Sequence, residues 1–229
     1  MFQSASTAHF CYEVQMFKKL FKAYKGKEKD TGPARVISSP DQLNVNDIIV
    51  FKYRTELPKS LREQSLTVVS ICGYEYESGV NKEISLKDQH GNIIYMSFDN
   101  EDGKQTICLS LKISREKVLT LFNEDVFSDL FEDVQVELDV QKDVPEYEGW
   151  YAPKYIQIIK NATAYFYDRD PGKENLTEAN DGKELIYHEC ESPDENFGVN
   201  VEVWSDGDTD VFLQVYIDGG VIEEMYPHA

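Results

Sequence analysis

Long apolar runs are missing from this chain. No stretch approaches the roughly 18 consecutive apolar residues of a membrane-crossing helix, and no apolar run of signal-peptide length opens it, so no bilayer span or secretory leader is expected. Cysteine is sparse and scattered: Cys11, Cys72, Cys108 and Cys190 include no CxxC pair, which argues against a zinc site or a redox couple. Such isolated thiols fit a reducing cytoplasm, where the sequons at Asn161 and Asn175 carry no meaning. Histidine is equally scarce as a source of ligands or bases, with only His9, His90, His188 and His228. A glycine-rich phosphate loop is absent, since the doublet Gly219-Gly220 lacks a downstream Lys-Ser/Thr. Positive charge is short as well. With 23 Lys+Arg against 42 Asp+Glu and a net charge of −19, the body would repel phosphate, which excludes nucleic acid as its main partner.

What is present is a folded, aromatic-rich composition, 41% hydrophobic and 12% Phe, Trp and Tyr. The little positive charge it has is concentrated. Residues 1–35 carry seven Lys/Arg against three Asp/Glu, whereas 36–229 carry 16 against 39. Within that arm, Met16, Phe17, Leu20, Phe21 and Tyr24 fall on one face of a helix spanning 16–27, and Lys18, Lys19, Lys22 and Lys25 occupy the rest. This is the pattern of an interfacial helix whose aromatics sink into a membrane surface while its lysines meet anionic headgroups. Docking on the acidic body, or a plain basic end with no role, are the other two readings. Met16 is also a second candidate start. A linker with Gly32, Pro33 and Pro40 follows.

The remainder reads as one unit written twice. SLTVVSICGYEYES (65–78) answers YIQIIKNATAYFYDR (155–169), and KEISLKDQHGNIIYMSFDNEDGKQTICLSLKI (82–113) answers KELIYHECESPDENFGVNVEVWSDGDTDVFLQVYI (183–217). ISREKVLTLF (113–122) then lines up with IDGGVIEEMY (217–226), which leads us to expect a short closing helix in each copy. The expected fold is α+β, mainly β: a tandem duplication of a module of antiparallel strands and hairpins, the copies covering about 43–122 and 130–226. The corresponding division is a basic arm 1–35, a first repeat 36–122, and a second repeat 123–229 that includes the end of the linking helix. Ile107 to Ile113 alternates with apolar odd positions, as a half-buried strand does. Ser114 is placed to cap the helix carrying Val118, Leu121, Phe122 and Phe127, with a break near Asn123.

Three constellations could carry chemistry. Asp206, Asp208 and Asp210 have the alternate-acid spacing of a calcium loop, but the glycine and glutamate that an EF-hand requires further on are replaced by Val211 and Ile217. A solvated hairpin turn is the plainer reading, and no metal or other cofactor is expected. His188 and Cys190 share one face of a strand but need ligands or an orienting group from elsewhere. Tyr74, Tyr76, Tyr165 and Tyr167 recur at matching places in the two copies, with Trp150 near in sequence, and could form a recognition face. Core packing with one wet hydroxyl edge is the alternative.

The strings LNVNDIIVF (43–51), VVSICGYEY (68–76), LSLKIS (109–114) and VEVWSDGDTDVFLQVYIDGGVIEEMYP (201–227) resemble a bacterial domain family of unknown function. Its members, like YjfK-like proteins, are encoded near phage-shock-protein-A-like membrane-stress genes. The resemblance implies a cytoplasmic accessory protein in an envelope-stress or membrane-maintenance system, with a membrane-stress protein as partner, and it brings no catalytic residues. The basic arm adds the expectation of an anionic membrane surface as a second partner and a peripheral place on the inner face of the membrane. The leading expectation is therefore a non-enzymatic adaptor, of oligomeric state that the sequence leaves open. The competing classes are a soluble enzyme with its site in the cleft between the repeats, and a metal-stabilised binding module.

Overall fold

The computed structural model describes residues 35–101, 104–176 and 181–228. The proposed interfacial helix at 16–27, with Phe17, Lys18, Lys19, Leu20, Phe21, Lys22 and Lys25, lies outside them. Residues 36–229 form one compact unit. Eleven strands run through it: β1 (Ile48–Phe51), β2 (Ser65–Tyr76), β3 (Gly79–Lys87), β4 (Ile93–Glu101), β5 (Lys104–Ile113), β6 (Glu137–Asp139), β7 (Lys154–Tyr167), β8 (Lys183–Glu191), β9 (Phe197–Trp204), β10 (Thr209–Asp218) and β11 (Ile222–Tyr226). Helices α1 (Arg115–Leu121) and α2 (Glu124–Ser128) connect β5 to β6. Among the described residues no helix is long and apolar enough to cross a membrane.

All pairings are antiparallel, in the order β11-β1-β2-β3-β4-β5-β10-β9-β8-β7-β6. The far ends also meet. The last turn of β2 pairs with the last turn of β7, Tyr74 opposite Phe166, so that β2-β3-β4-β5-β10-β9-β8-β7 closes into a ring of eight strands. Closure removes the open edges along most of the sheet. Opposite that seam, β5 lies against β10 with Ser110 facing Gln214 and Ile107 facing Ile217.

Local chemistry sets the corners. In the β3–β4 turn the Asp88 carboxylate accepts from the backbone N–H groups of His90 and Asn92, both at 2.8 Å, while Gly91 takes φ +91°. Ser114 stands at the N-cap position of α1, although its carbonyl rather than its side chain receives the bond from Val118 N–H. The helix stops at Phe122, and Asn123 restarts it by accepting from Val126 N–H at 3.1 Å.

The second closing helix expected at 217–226 does not form. Gly219–Val221 makes a single 3-10 turn, and Ile222–Tyr226 is a strand paired with β1, Ile48 opposite Tyr226. The Gly219-Gly220 doublet is a poor helix start, and the neighbouring β1 supplies a hydrogen-bonded partner that an isolated turn of helix lacks.

The alternation read in β5 recurs in β10. Ile107, Leu109, Ile113, Leu213, Val215 and Ile217 are buried in the main core. Helices α1 and α2 cover that face with Val118, Leu121, Phe122 and Phe127. The opposite face of the same strands turns into the ring, and it is polar.

Candidate functional site: a polar groove inside the ring

The inward side chains come from every quarter of the ring. Tyr74 and Tyr76 enter from β2, Asn81 and Glu83 from β3, Ser97 from β4, and Ser110 from β5. The facing half adds Gln214 and Tyr216 from β10, Asn200 and Glu202 from β9, and Tyr187 and Glu189 from β8. They leave a groove with two lobes, which share Tyr76, Asn81, Ser97, Asn200 and Gln214. The smaller lobe, about 50 Å³, lies against Tyr74, Glu83 and Glu202. The larger, about 280 Å³, lies against Cys108, Tyr187, Glu189 and Tyr216.

Each carboxylate in the groove has neutral partners. Glu202, 4% exposed, accepts from Asn200 Nδ2 at 3.2 Å and, at 3.5 Å, from the Tyr74 hydroxyl. Glu189 accepts from the Tyr216 hydroxyl at 2.9 Å, and Glu83 meets the Cys72 thiol at 3.6 Å. Lys82 is the one basic residue among those lining the two lobes, and its amine is drawn away to Asp170, 3.2 Å, and to the Asp41 carbonyl, 2.9 Å. Burial without a counter-ion disfavours the ionised forms. It pushes Glu83 up to about 7. Burial, reinforced by the charges of Glu83 and Asp210, pushes Glu202 up to about 8. Glu189 is raised by burial too, against the opposing hydrogen bond from Tyr216. The tyrosine hydroxyls at 74 and 76 are likewise held well above their usual range by burial and these carboxylates. The groove is thus an acidic site whose carboxyls burial holds above the usual carboxylate range.

The tyrosines expected to share a face do not. Tyr74 and Tyr76 face the groove, Tyr74 edge-on to Phe166 at 5.3 Å and Tyr76 edge-on to Tyr187 at 5.2 Å. Tyr165 and Tyr167 sit on the outer side of β7, where Tyr165 reaches Glu184 and Tyr167 donates to Glu75 at 2.8 Å beneath Arg169. The cause is an unequal number of register shifts: β2 has one, between Val68 and Ser70, which turns Tyr74 and Tyr76 to the face opposite Leu66 and Val68, whereas the two in β7, between Gln157 and Ala162, cancel and leave Tyr165 and Tyr167 on the side of Tyr155. Trp150 belongs to neither set. It is 1% exposed in the main core and donates its ring N–H to Ser60.

Asp206 and Asp208 occupy the tip of the β9–β10 turn, while Asp210 is engaged by Lys112 at 2.6 Å and Trp204 Nε1 at 3.3 Å, so the three do not converge. Among the described residues no cluster of three or more His, Cys, Asp or Glu could hold a metal ion. His188 and Cys190 do share a face, as strand geometry requires, but it is the buried face away from Glu189. His188 lies edge-on to Phe131 at 5.1 Å, and Cys190 is 0% exposed in the core.

Glu83, Glu202, Asn200 and Gln214 were not singled out by their sequence pattern. Their one signal is the polar half of an alternating strand, as in Val199-Asn200-Val201-Glu202-Val203, which reads equally as a solvated face. Fold and site together define a mainly β, antiparallel protein with a polar groove enclosed by a strand ring. No known protein family, curated protein or solved structure matches the chain.

Proposed function

We propose that this is a non-enzymatic binding protein that holds a small polar ligand in the groove and acts as an accessory adaptor in a bacterial envelope-stress or membrane-maintenance system. The carrying observation is the lining of the ring. An eight-stranded ring has an interior just wide enough for side chains to fill or for one small ligand. Here that interior presents tyrosines, amides and carboxylates around open space rather than interlocked apolar side chains. A test is a ligand-observed NMR screen of small polar probes (sugars, amino acids, amines and organic acids) against the full chain and Gln214→Phe, which fills the part common to both lobes. The expected outcome is a set of probes that bind the natural chain and are lost in the variant, with circular dichroism unchanged. Probes that bind both proteins equally, or no binding probe, would sink the proposal.

The cellular setting rests on the family resemblance and on the basic, aromatic stretch 16–27. Co-sedimentation of the full chain and of a chain beginning after Lys29 with anionic and neutral liposomes tests it. Salt-sensitive binding to anionic vesicles that vanishes with the arm is expected; no binding by the full chain would contradict a membrane-facing role.

We further propose that the two half-sheets, β1–β5 and β6–β10, descend from one duplicated unit. Support comes from the seams. With 107–113 matched to 211–217, the β5–β10 pairing is symmetric about Ser110 and Gln214, the pair Ile113–Val211 mapping onto Ile217–Ile107. Glu83, opposite Ser97, and Glu189, opposite Asn200, then fall at corresponding places in the two halves. A second reading, an enzyme acting in the same cleft, is favoured by one observation: Glu83 and Glu202 line one lobe with only neutral hydrogen-bond partners, and such burial raises a carboxyl toward the range of a general acid. Turnover of a bound probe that is lost in Glu202→Gln would move the assignment to that class.

A further inference from the structure

The groove's chemistry also specifies what it holds. We propose that its ligand is a linear organic dication, an alkyl diamine of four or five carbons with one ammonium group in each lobe; this rests on the binding reading above and names the ligand class. Glu83 and Glu202 stand in one lobe and Glu189 in the other, and their present partners are a thiol, hydroxyls and an amide. The basic side chains nearby are already paired, Lys82 with Asp170 and Lys112 with Asp210. A cation entering the groove would favour the ionised forms of these carboxyls, which no ammonium or guanidinium group among the described residues contacts. An anion would disfavour those forms further, and a neutral ligand would leave the balance unchanged.

A second observation points to a ligand rich in N–H donors. Asn200 Oδ1, in the stretch common to both lobes, is enclosed and accepts no hydrogen bond. A buried carbonyl without a donor is costly, and an ammonium group supplies three. The spacing fits two charges. Glu189 lies directly across from Asn200, and Glu202 is two residues further along β9, so the two acids are diagonal cross-strand neighbours whose α-carbons are about 7–8 Å apart. An extended four- or five-carbon diamine, built from C–C bonds of about 1.5 Å, separates its nitrogens by a distance of the same order. Between the charges its methylenes would meet the ring of Tyr76, and tyrosine faces attract ammonium groups.

The test is isothermal titration calorimetry of the full chain with 1,5-diaminopentane, 1-aminopentane and the uncharged isostere 1,5-pentanediol. Glu189→Gln and Glu202→Gln are titrated alongside, both being near-isosteric changes whose folding is checked by circular dichroism. We expect the diamine to bind, the monoamine to bind at least about tenfold more weakly, the diol to show no binding, and each variant to lose at least about tenfold in diamine affinity. Diamine binding unchanged in both variants, a monoamine as good as the diamine, or no diamine binding overturns the inference. Equal binding by the diol, abolished in Gln214→Phe, overturns the cation while keeping the groove as a site. Failure of the amines, the diol and the whole polar probe panel would remove both.

Discussion

The two faces of β5 and β10 are built from the same strands with opposite logic. Leu109 and Leu213 are fully buried among aliphatic neighbours, and one residue on, Ser110 and Gln214 meet each other across the β5–β10 pairing at 3.3 Å in a polar groove. One face gains stability by excluding water from apolar surface. The other gives up that gain and keeps acids buried without counter-ions. A sheet face that is enclosed yet polar costs stability, and this cost is the sign of a site.

Breaking the apolar face should have the largest effect. Leu213→Ala is expected to lose about 2–5 kcal/mol in urea unfolding, whereas Gln214→Ala should lose no more than about 1 kcal/mol. Equal losses would mean that both faces are structural cores.

The next effect depends on pH. Folding raises Glu83 to about 7 and Glu202 to about 8, above the roughly 4.3 of a free glutamate, so the folded chain binds more protons than the unfolded one over that interval. Stability from these groups is therefore complete below about pH 4 and is lost as pH rises through 7 and 8. Glu202→Gln should melt several degrees above the natural chain at about pH 8 and close to it below about pH 5. A constant gap across that range would contradict the assignment.

The smallest contrast lies at the ring's closing seam. Tyr167→Phe removes a 2.8 Å bond to Glu75 on the outer side and should cost about 1 kcal/mol. Tyr74→Phe, whose hydroxyl stands 3.5 Å from Glu202 inside, should cost less than half as much. Chemical denaturation of the two variants compares them directly; the reverse order would place the working hydrogen bond inside the groove.

Local patterns were legible where local physics decides. The alternation of Ile107 to Ile113 and the helix break at Asn123 follow from side-chain periodicity and capping chemistry. The strand at 222–226 was not, because VIEEMY carries apolar residues at spacings that suit helix or strand, and pairing with β1 decides between them. Ring closure depends on Tyr74 meeting Phe166, residues far apart in the chain, and no local signal encodes that. The groove was hidden for the same reason. A polar period-two face means solvent until the sheet curls round it. Tyr76 and Tyr74 could be named from sequence, but their outward-facing counterparts Tyr165 and Tyr167 could not be separated from them without the single register shift in β2 after Val68.

The account stands or falls on whether the groove admits a solute. The most direct measurement follows the side-chain amide signals of the isotope-labelled full chain in two-dimensional NMR as 1,5-diaminopentane and then maltose are added. The account predicts that at least one of these probes moves the side-chain N–H₂ signals of Asn200 and Gln214, which line both lobes, while Asn92 in the outer β3–β4 turn stays still. Signals of Asn200 and Gln214 that remain fixed with both probes, or that move no more than Asn92, would contradict it.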